Sequence, residues 1–490
     1  MKHSSRRRPF VSRICRGLFV LGALLFLPTA GNAAQLLAGA STVSITPDQP
    51  VALTGQMRTR ISRTVESPVT ATALAFESVD GDKSMDGVVM VSCDLVAIRE
   101  GLLDQVRAAV AAKLDGFDTN RLFLSATHTH TAPVLLEGRY TIPKEGVMQP
   151  TEYVKFFVEQ VSHAVVEAWN CRAPAAVSWG LGQAVVALNR RAVYANGTAQ
   201  MYGKTDRPEF RGLEGTEDHG VEVLFVWNAK NELLATAVNV ACPAQEVESR
   251  SALNADFWHP VRETLRERHG KDLHVLAWTG AAGDQSPHLM YRKQAEERML
   301  KLRGLTRLEE IARRVVNAWE DAYECAAKDR HENVVLRHER RVIDLPLRQV
   351  TDKEAAEAQV RFRVLSKSPK EFRRAQWHQN VIERYEAQQA GTAKPHRIEM
   401  HMVRLGDVAI TTNPFELFTD YGTQIKSRSR ALQTFVIQLT GPGTYLPSQR
   451  AMDGGGYSAI IESNIVGPEG GQVLVDETVK TVNGFWADGK

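Results

Sequence analysis

The chain has 490 residues, 43% hydrophobic and 24% charged, a composition that fits a soluble globular protein with a sizeable core. Six positive charges, Lys2, Arg6, Arg7, Arg8, Arg13 and Arg16, stand in the first 34 residues beside no acid. Taking these six from the formal +3 leaves the remainder at −3. That balance argues against a nucleic-acid partner.

In chain order, the basic start runs into an apolar stretch, Gly17 to Leu27, then Pro28 and the small-residue end Gly31-Asn32-Ala33-Ala34. This reads as an export signal over residues 1–34, with Arg7-Arg8-Pro9-Phe10-Val11 similar to a twin-arginine signal. The apolar run is short for a transmembrane helix, and no later segment reads as one. A periplasmic or secreted location is expected. Of the five cysteines, Cys15 belongs to the signal. Cys93, Cys171, Cys242 and Cys325 have no CxxC spacing and read as buried thiols.

Beyond residue 35 the pattern predicts an α/β fold, one large domain (35–490) with mixed β-sheets flanked by helices. Gly87 to Ser92 is an apolar run expected of a strand buried on both faces. Gly101 to Leu114 is amphipathic, with Leu102, Val106 and Val110 on one side. Leu122 to Ala126 is the next strand, which completes a strand–helix–strand unit. Val221 to Trp227, Leu234 to Val240 and Leu273 to Trp278 read as strands, and Asp256 to Arg268 as a helix. Two charged stretches, residues 292–327 and 351–390, read as exposed helices covering one edge, with opposite charges three or four apart. Glu399 to Leu405 and Val408 to Thr412 return to strand character.

Residue types suited to chemistry collect in five places. His128 and His130 follow the strand 122–126 in Thr127-His-Thr-His-Thr-Ala-Pro133. Residues two apart on a strand share a face, so the two imidazoles are expected side by side. Thr279-Gly-Ala-Ala-Gly-Asp-Gln-Ser286-Pro287 is a small-residue loop in which Ser286 could be a nucleophile or a hydroxyl donor. Asn413-Pro-Phe-Glu416 sets a carboxylate after a strand. Tyr445 and Tyr457, twelve apart, stand on glycine-rich loops. Asn189-Arg190-Arg191 offers a guanidinium for a carboxylate or carbonyl oxygen.

Together, and in this order, these segments resemble the neutral/alkaline ceramidases, exported zinc-dependent amidases that cleave the N-acyl bond of ceramide. The likeness lies in Thr127-His-Thr-His130, in Gly283-Asp-Gln-Ser286-Pro287, in Glu416 read with Tyr421-Gly422 and Ile425-Lys426, in the tyrosine pair and in Arg190. The resemblance implies His128, Glu416 and Tyr445 as zinc ligands and Ser286, His130, Arg190 and Tyr457 as catalytic groups. It implies an N-acyl substrate, lipid or small molecule, and contact with a membrane surface.

Two departures stand against it. The family has a second zinc histidine where this chain reads Val240-Ala-Cys242-Pro243-Ala-Gln245-Glu246. Cys242, Gln245, Glu246 or His259 replaces it, or the zinc (Zn2+) site is rearranged or lost. The family's C-terminal β-sandwich has no counterpart in the 33 residues after Tyr457. Two other readings stay open: a hydrolase of another ester, amide or N-acylated glycan, and an inactive periplasmic binding or scaffold protein of the same fold.

Overall fold

Eight strands rich in Val, Leu, Ile and Ala build the main sheet: β1 (Gln35–Ser44), β2 (Thr70–Asp80), β3 (Lys83–Cys93), β4 (Leu122–Ala126), β5 (Ala173–Gln183), β6 (Gly220–Asn228), β7 (Leu233–Val240) and β8 (His274–Thr279). They lie in the order β8-β7-β6-β5-β1-β2-β3-β4. The centre is antiparallel, and each edge carries one parallel pair, β3 with β4 and β7 with β8. The helix Leu102–Ala111 makes the crossover between β3 and β4, so the expected strand–helix–strand unit is present. The computed structural model describes residues 34–487, and the expected export segment up to residue 33 lies outside the described residues.

A second sheet has the order β9 (Leu336–Leu345), β10 (His396–Leu405), β11 (Val408–Thr412), β12 (Gln433–Ile437). Its side chains alternate between two cores, as a pleated strand requires. Val403, Leu405, Ile410, Phe435 and Ile437 face Leu36, Phe76, Met90, Leu224 and Trp278 of the main sheet. Met400, Met402, Ala409 and Val436 face the helices Thr419–Arg428 and Pro468–Gly484. Helices Leu102–Ala111 and Pro150–Asn170 cover the outer side of one half of the main sheet, and Trp258–His269 and Arg307–Ala326 cover the other half. The result is four layers, helix–sheet–sheet–helix, with each fully buried Val, Leu or Phe contributing about 1.5–3 kcal/mol.

The charged stretch 292–327 departs from its expected exposure. It forms Lys293–Arg303 and Arg307–Ala326, and the second buries Ile311, Val315, Ala318, Trp319 and Ala322 against the main sheet. That stripe has helical spacing, and Glu310 joins it by accepting from Arg303, Arg313 and Arg314. The stretch 351–390 forms the pair Asp352–Leu365 and Phe372–Gln389, and residues of the second helix line a cavity. Cys93 and Cys242 are buried, whereas Cys171 and Cys325 are exposed; all four are free thiols.

Three parallel pairs, β3/β4, β7/β8 and β11/β12, send their carboxyl-terminal loops to one region. Backbone bonds join these loops: His128 N–H to Leu95 O (2.9 Å), Ala244 N–H to Thr127 O (3.1 Å), Gly283 N–H to Leu417 O (2.7 Å) and Glu416 N–H to Thr444 O (3.0 Å). Ligands gather at such strand ends in α/β sheets.

Candidate active site

The strand β4 stops at Ala126, so the histidines stand beyond it and do not share a strand face as expected. His128 instead takes a left-handed backbone (φ 69°), a conformation that costs of order 1 kcal/mol or more in a non-glycine residue. The loops from β3 hold it there. Its N–H bonds Leu95 O, and its Nδ1 lies 2.6 Å from Val96 O. The two rings nevertheless come together, with centroids 4.9 Å apart at 74°.

With Nδ1–H given to a carbonyl, Nε2 of His128 keeps a lone pair. That buried nitrogen faces Oε2 of Glu416 at 3.3 Å. An acceptor set against a carboxylate is the arrangement left by a shared cation, a proton or a metal. Glu416 itself is fixed by a two-residue parallel pairing, Glu416–Leu417 with Tyr445–Leu446, which sets the Tyr445 phenol beside its carboxylate. Burial alone would raise the Glu416 pKa; positive charge at His128, with Arg190 and the Tyr445 hydrogen bond, holds it at about 2. Gly283 lies so close to this strand that a Cβ would come within 2.3 Å of Glu416 O.

His130 is held at both nitrogens. Nδ1 lies 2.9 Å from Glu248 Oε2, and Nε2 lies 2.7 Å from Gln245 Nε2. The Gln245 amide donates to Nε2, so Nδ1 carries the proton and gives it to Glu248. Burial first, and His128 second, lower the His130 pKa to about 4, which keeps the ring neutral. Gly55 packs on its face, where a Cβ would lie 2.4 Å from the ring.

Arg190 is 2% exposed and links the parts. Nη1 donates to Gln245 Oε1 (3.1 Å) and Tyr202 OH (3.2 Å), and Nη2 donates to Gly283 O (2.9 Å) and Tyr445 OH (3.2 Å). Ser286 is fully buried, with Oγ 3.1 Å from Tyr202 OH and accepting from His288 N–H at 3.1 Å. A cavity of about 220 Å³ is lined by His128, His130, Glu416, Tyr445 and Tyr457. Arg190 stands behind Tyr445, outside this lining, and Ser286 stands further back, joined to Arg190 through Tyr202. Tyr457 is 38% exposed at the cavity wall, its ring 5.6 Å from Tyr445 and 5.7 Å from Trp377.

Cys242 lies apart from these groups. Its Sγ points to Val186 O and Pro243 O within the apolar cluster of Phe257 and Val261, and burial pushes its thiol pKa well up. A protonated thiol facing a core is no partner for His128 and Glu416. Among the described residues no three His, Cys, Asp or Glu side chains gather in metal-ligating reach. The donors that converge are one imidazole, one carboxylate and one phenol. Catalytic zinc takes three protein donors and an open position, and this set fits that number.

Several residues at the site carry no sequence signal of their own. Glu248 and Tyr202 act only through contacts made in space, whereas Gln245, one of the expected replacements for the missing zinc histidine, holds His130 instead. Arg99, Arg139, Arg373 and Trp377 line the cavity from three separate segments. Arg99 alone left a trace, a charge ending the apolar run Leu95–Ile98 just past β3.

The fold is ceramidase-like. In particular it matches the neutral ceramidase from Pseudomonas aeruginosa, with a TM-score of 0.66 and 17% identity, over 92% of this chain and 75% of that one. A ceramidase complexed with C2 matches with a TM-score of 0.64 and 15% identity, over the same shares. No family model matches the sequence, and no curated protein does.

Proposed function

We propose that this chain is an exported hydrolase of an N-acyl (amide) bond, centred on His128, Glu416 and Tyr445 at the foot of the cavity. The observation that carries the reading is the 3.3 Å approach of His128 Nε2 to the Glu416 carboxylate, on a fold shared with ceramidases. His128, Glu416 and Tyr445 would hold a zinc ion. When bound, zinc polarises a carbonyl and lowers the pKa of a bound water.

The chain's own groups supply the rest. His130 is a neutral base oriented by Glu248, and it accepts a proton at Nε2 once the Gln245 amide yields that position to substrate or water. The same nitrogen then returns the proton to the leaving amine. Tyr457 presents its phenol to the oxygen on which negative charge develops, and Arg190 donates to the Tyr445 oxygen and holds that side chain in place. Ser286 positions Arg190 through Tyr202. Residues 1–34 support export to the periplasm or beyond.

The test is a screen of N-acyl substrates with the purified protein, beside Glu416→Gln and Tyr445→Phe. Release of free fatty acid by the parent, lost in Glu416→Gln, supports the reading. Equal release by both proteins would remove the site from the reaction.

A further inference from the structure

Three guanidiniums line the cavity: Arg99 after β3, Arg139 in the loop after His130, and Arg373 on the helix Phe372–Gln389. Among the described residues, none of the three forms an ion pair. The Arg139 Nε is buried without a hydrogen-bond partner. Arg373 is braced, its Nη1 donating to Gln56 O at 2.7 Å and to Tyr140 OH, with its guanidinium 4.6 Å above the Tyr140 ring.

The acids on the same lining are engaged elsewhere. Glu416 belongs to His128 and Tyr445, and Glu462 pairs with His378 at 3.0 Å. Burial lowers the Arg99 pKa to about 9 and the Arg373 pKa to about 10, and mutual repulsion with Arg139 adds to both. Three like charges held together, offset only at Arg99 by the Glu416 carboxylate that His128 and Tyr445 already share, cost stability, so their fit is to a ligand and not to the fold alone. A second cavity, of about 390 Å³, shares Met57, Arg139, Phe372 and Arg373 with the first, so Arg139 and Arg373 stand where the two join and Arg99 lines the first alone.

We propose that Arg99, Arg139 and Arg373 bind an anionic group of the substrate in the first cavity, on the side where it opens into the second. The substrate class is then an N-acyl compound with an anionic head, such as an N-acylated amino acid or a phosphorylated N-acyl amine, in preference to a neutral lipid. The exposed Phe372 ring on the same wall offers apolar contact to the part that continues into the second cavity. This deepens the amidase reading and rests on it for the chemistry, though not for the binding.

The experiment compares N-dodecanoylglycine, the phosphate ester of N-dodecanoylethanolamine and neutral N-dodecanoylethanolamine, with the parent protein, Arg99→Gln and Arg373→Gln. The parent should favour an anionic substrate in kcat/KM on the order of 30-fold, through KM, as charge-assisted hydrogen bonds allow. Whichever anion is preferred tells carboxylate from phosphate. In Arg99→Gln and Arg373→Gln the preference for the anionic over the neutral compound should fall several-fold. Equal kcat/KM for neutral and anionic compounds, or an undiminished preference in both variants, overturns the proposal. Titration calorimetry with the same three compounds separates the two claims. Anion-selective binding that Arg99→Gln weakens, without turnover, keeps the anion site and sinks the hydrolase. Binding with no anion preference, or none at all, sinks the anion site.

Discussion

The Gln245 amide donates to Nε2 of His130 across 2.7 Å, so the imidazole is held neutral with its lone pair already engaged. Gln245 also accepts from Arg190. It lies three residues from Cys242, within the stretch that departs from the ceramidase pattern.

Removing this amide should loosen the base and cost Arg190 one acceptor. Gln245→Ala is expected to lower kcat by about 10-fold to 100-fold, the scale of a displaced general base, while leaving the fold intact. Steady-state kinetics beside thermal unfolding checks both halves. An unchanged kcat would show that His130 does not depend on its clamp.

Gly283 tests how tightly Glu416 is placed. A methyl group there meets Glu416 O at 2.3 Å, and that neighbour is backbone, which cannot swing aside. Gly283→Ala should cost about 1–3 kcal/mol in denaturant unfolding and reduce turnover as well. Unaltered stability and turnover would mean that the Glu416–Leu417 strand is freer than its pairing with Tyr445–Leu446 indicates.

Asp94, the residue after β3, has a structural carboxylate. Its carboxylate receives both ends of the Arg262 fork, at 2.7 and 3.0 Å, with both groups buried. Asp94→Asn should destabilise the protein by about 3–5 kcal/mol, because it leaves a buried guanidinium unpaired. The unfolding midpoint of the variant measures this, and a loss below 1 kcal/mol would contradict it.

Glu310 gives a pH signature. Side-chain bonds from Arg313 and then Arg314 outweigh burial and hold its carboxyl at about 2. A depressed carboxylate pKa contributes stability above its unfolded value near 4.5, and that stability is lost as pH falls from about 4.5 towards 2. Glu310→Gln should therefore be less stable than the parent at pH 6, with the gap closing as pH approaches 2. A gap that stays constant over that range would exclude the ion pairs as its source.

The apolar runs made the strand framework legible. Leu122–Ala126 and Val408–Thr412 have the expected bounds, since strands buried on both faces need continuous hydrophobic sequence. The helix over Arg307–Ala326 was legible but its buried face was masked by charge: Arg313 and Arg314 pair with Glu310 and hide the stripe through Ile311, Val315 and Trp319. The proximity of His128, Glu416 and Tyr445 was legible only through the order of motifs, because a parallel pairing two residues long leaves no periodic trace. Arg99, Arg139 and Arg373 could not be grouped beforehand, since they meet only through the crossing of three segments.

The central claim is that His128 and Glu416 together make an amide hydrolase. The most direct measurement is release of dodecanoate from N-dodecanoylglycine by the parent protein and by Glu416→Gln, supplied with zinc and matched in folding by circular dichroism. The account predicts turnover by the parent and a loss of at least about 1,000-fold in the variant, as expected when a buried charged group at the reacting centre is neutralised. Turnover retained within a few-fold in Glu416→Gln would contradict it.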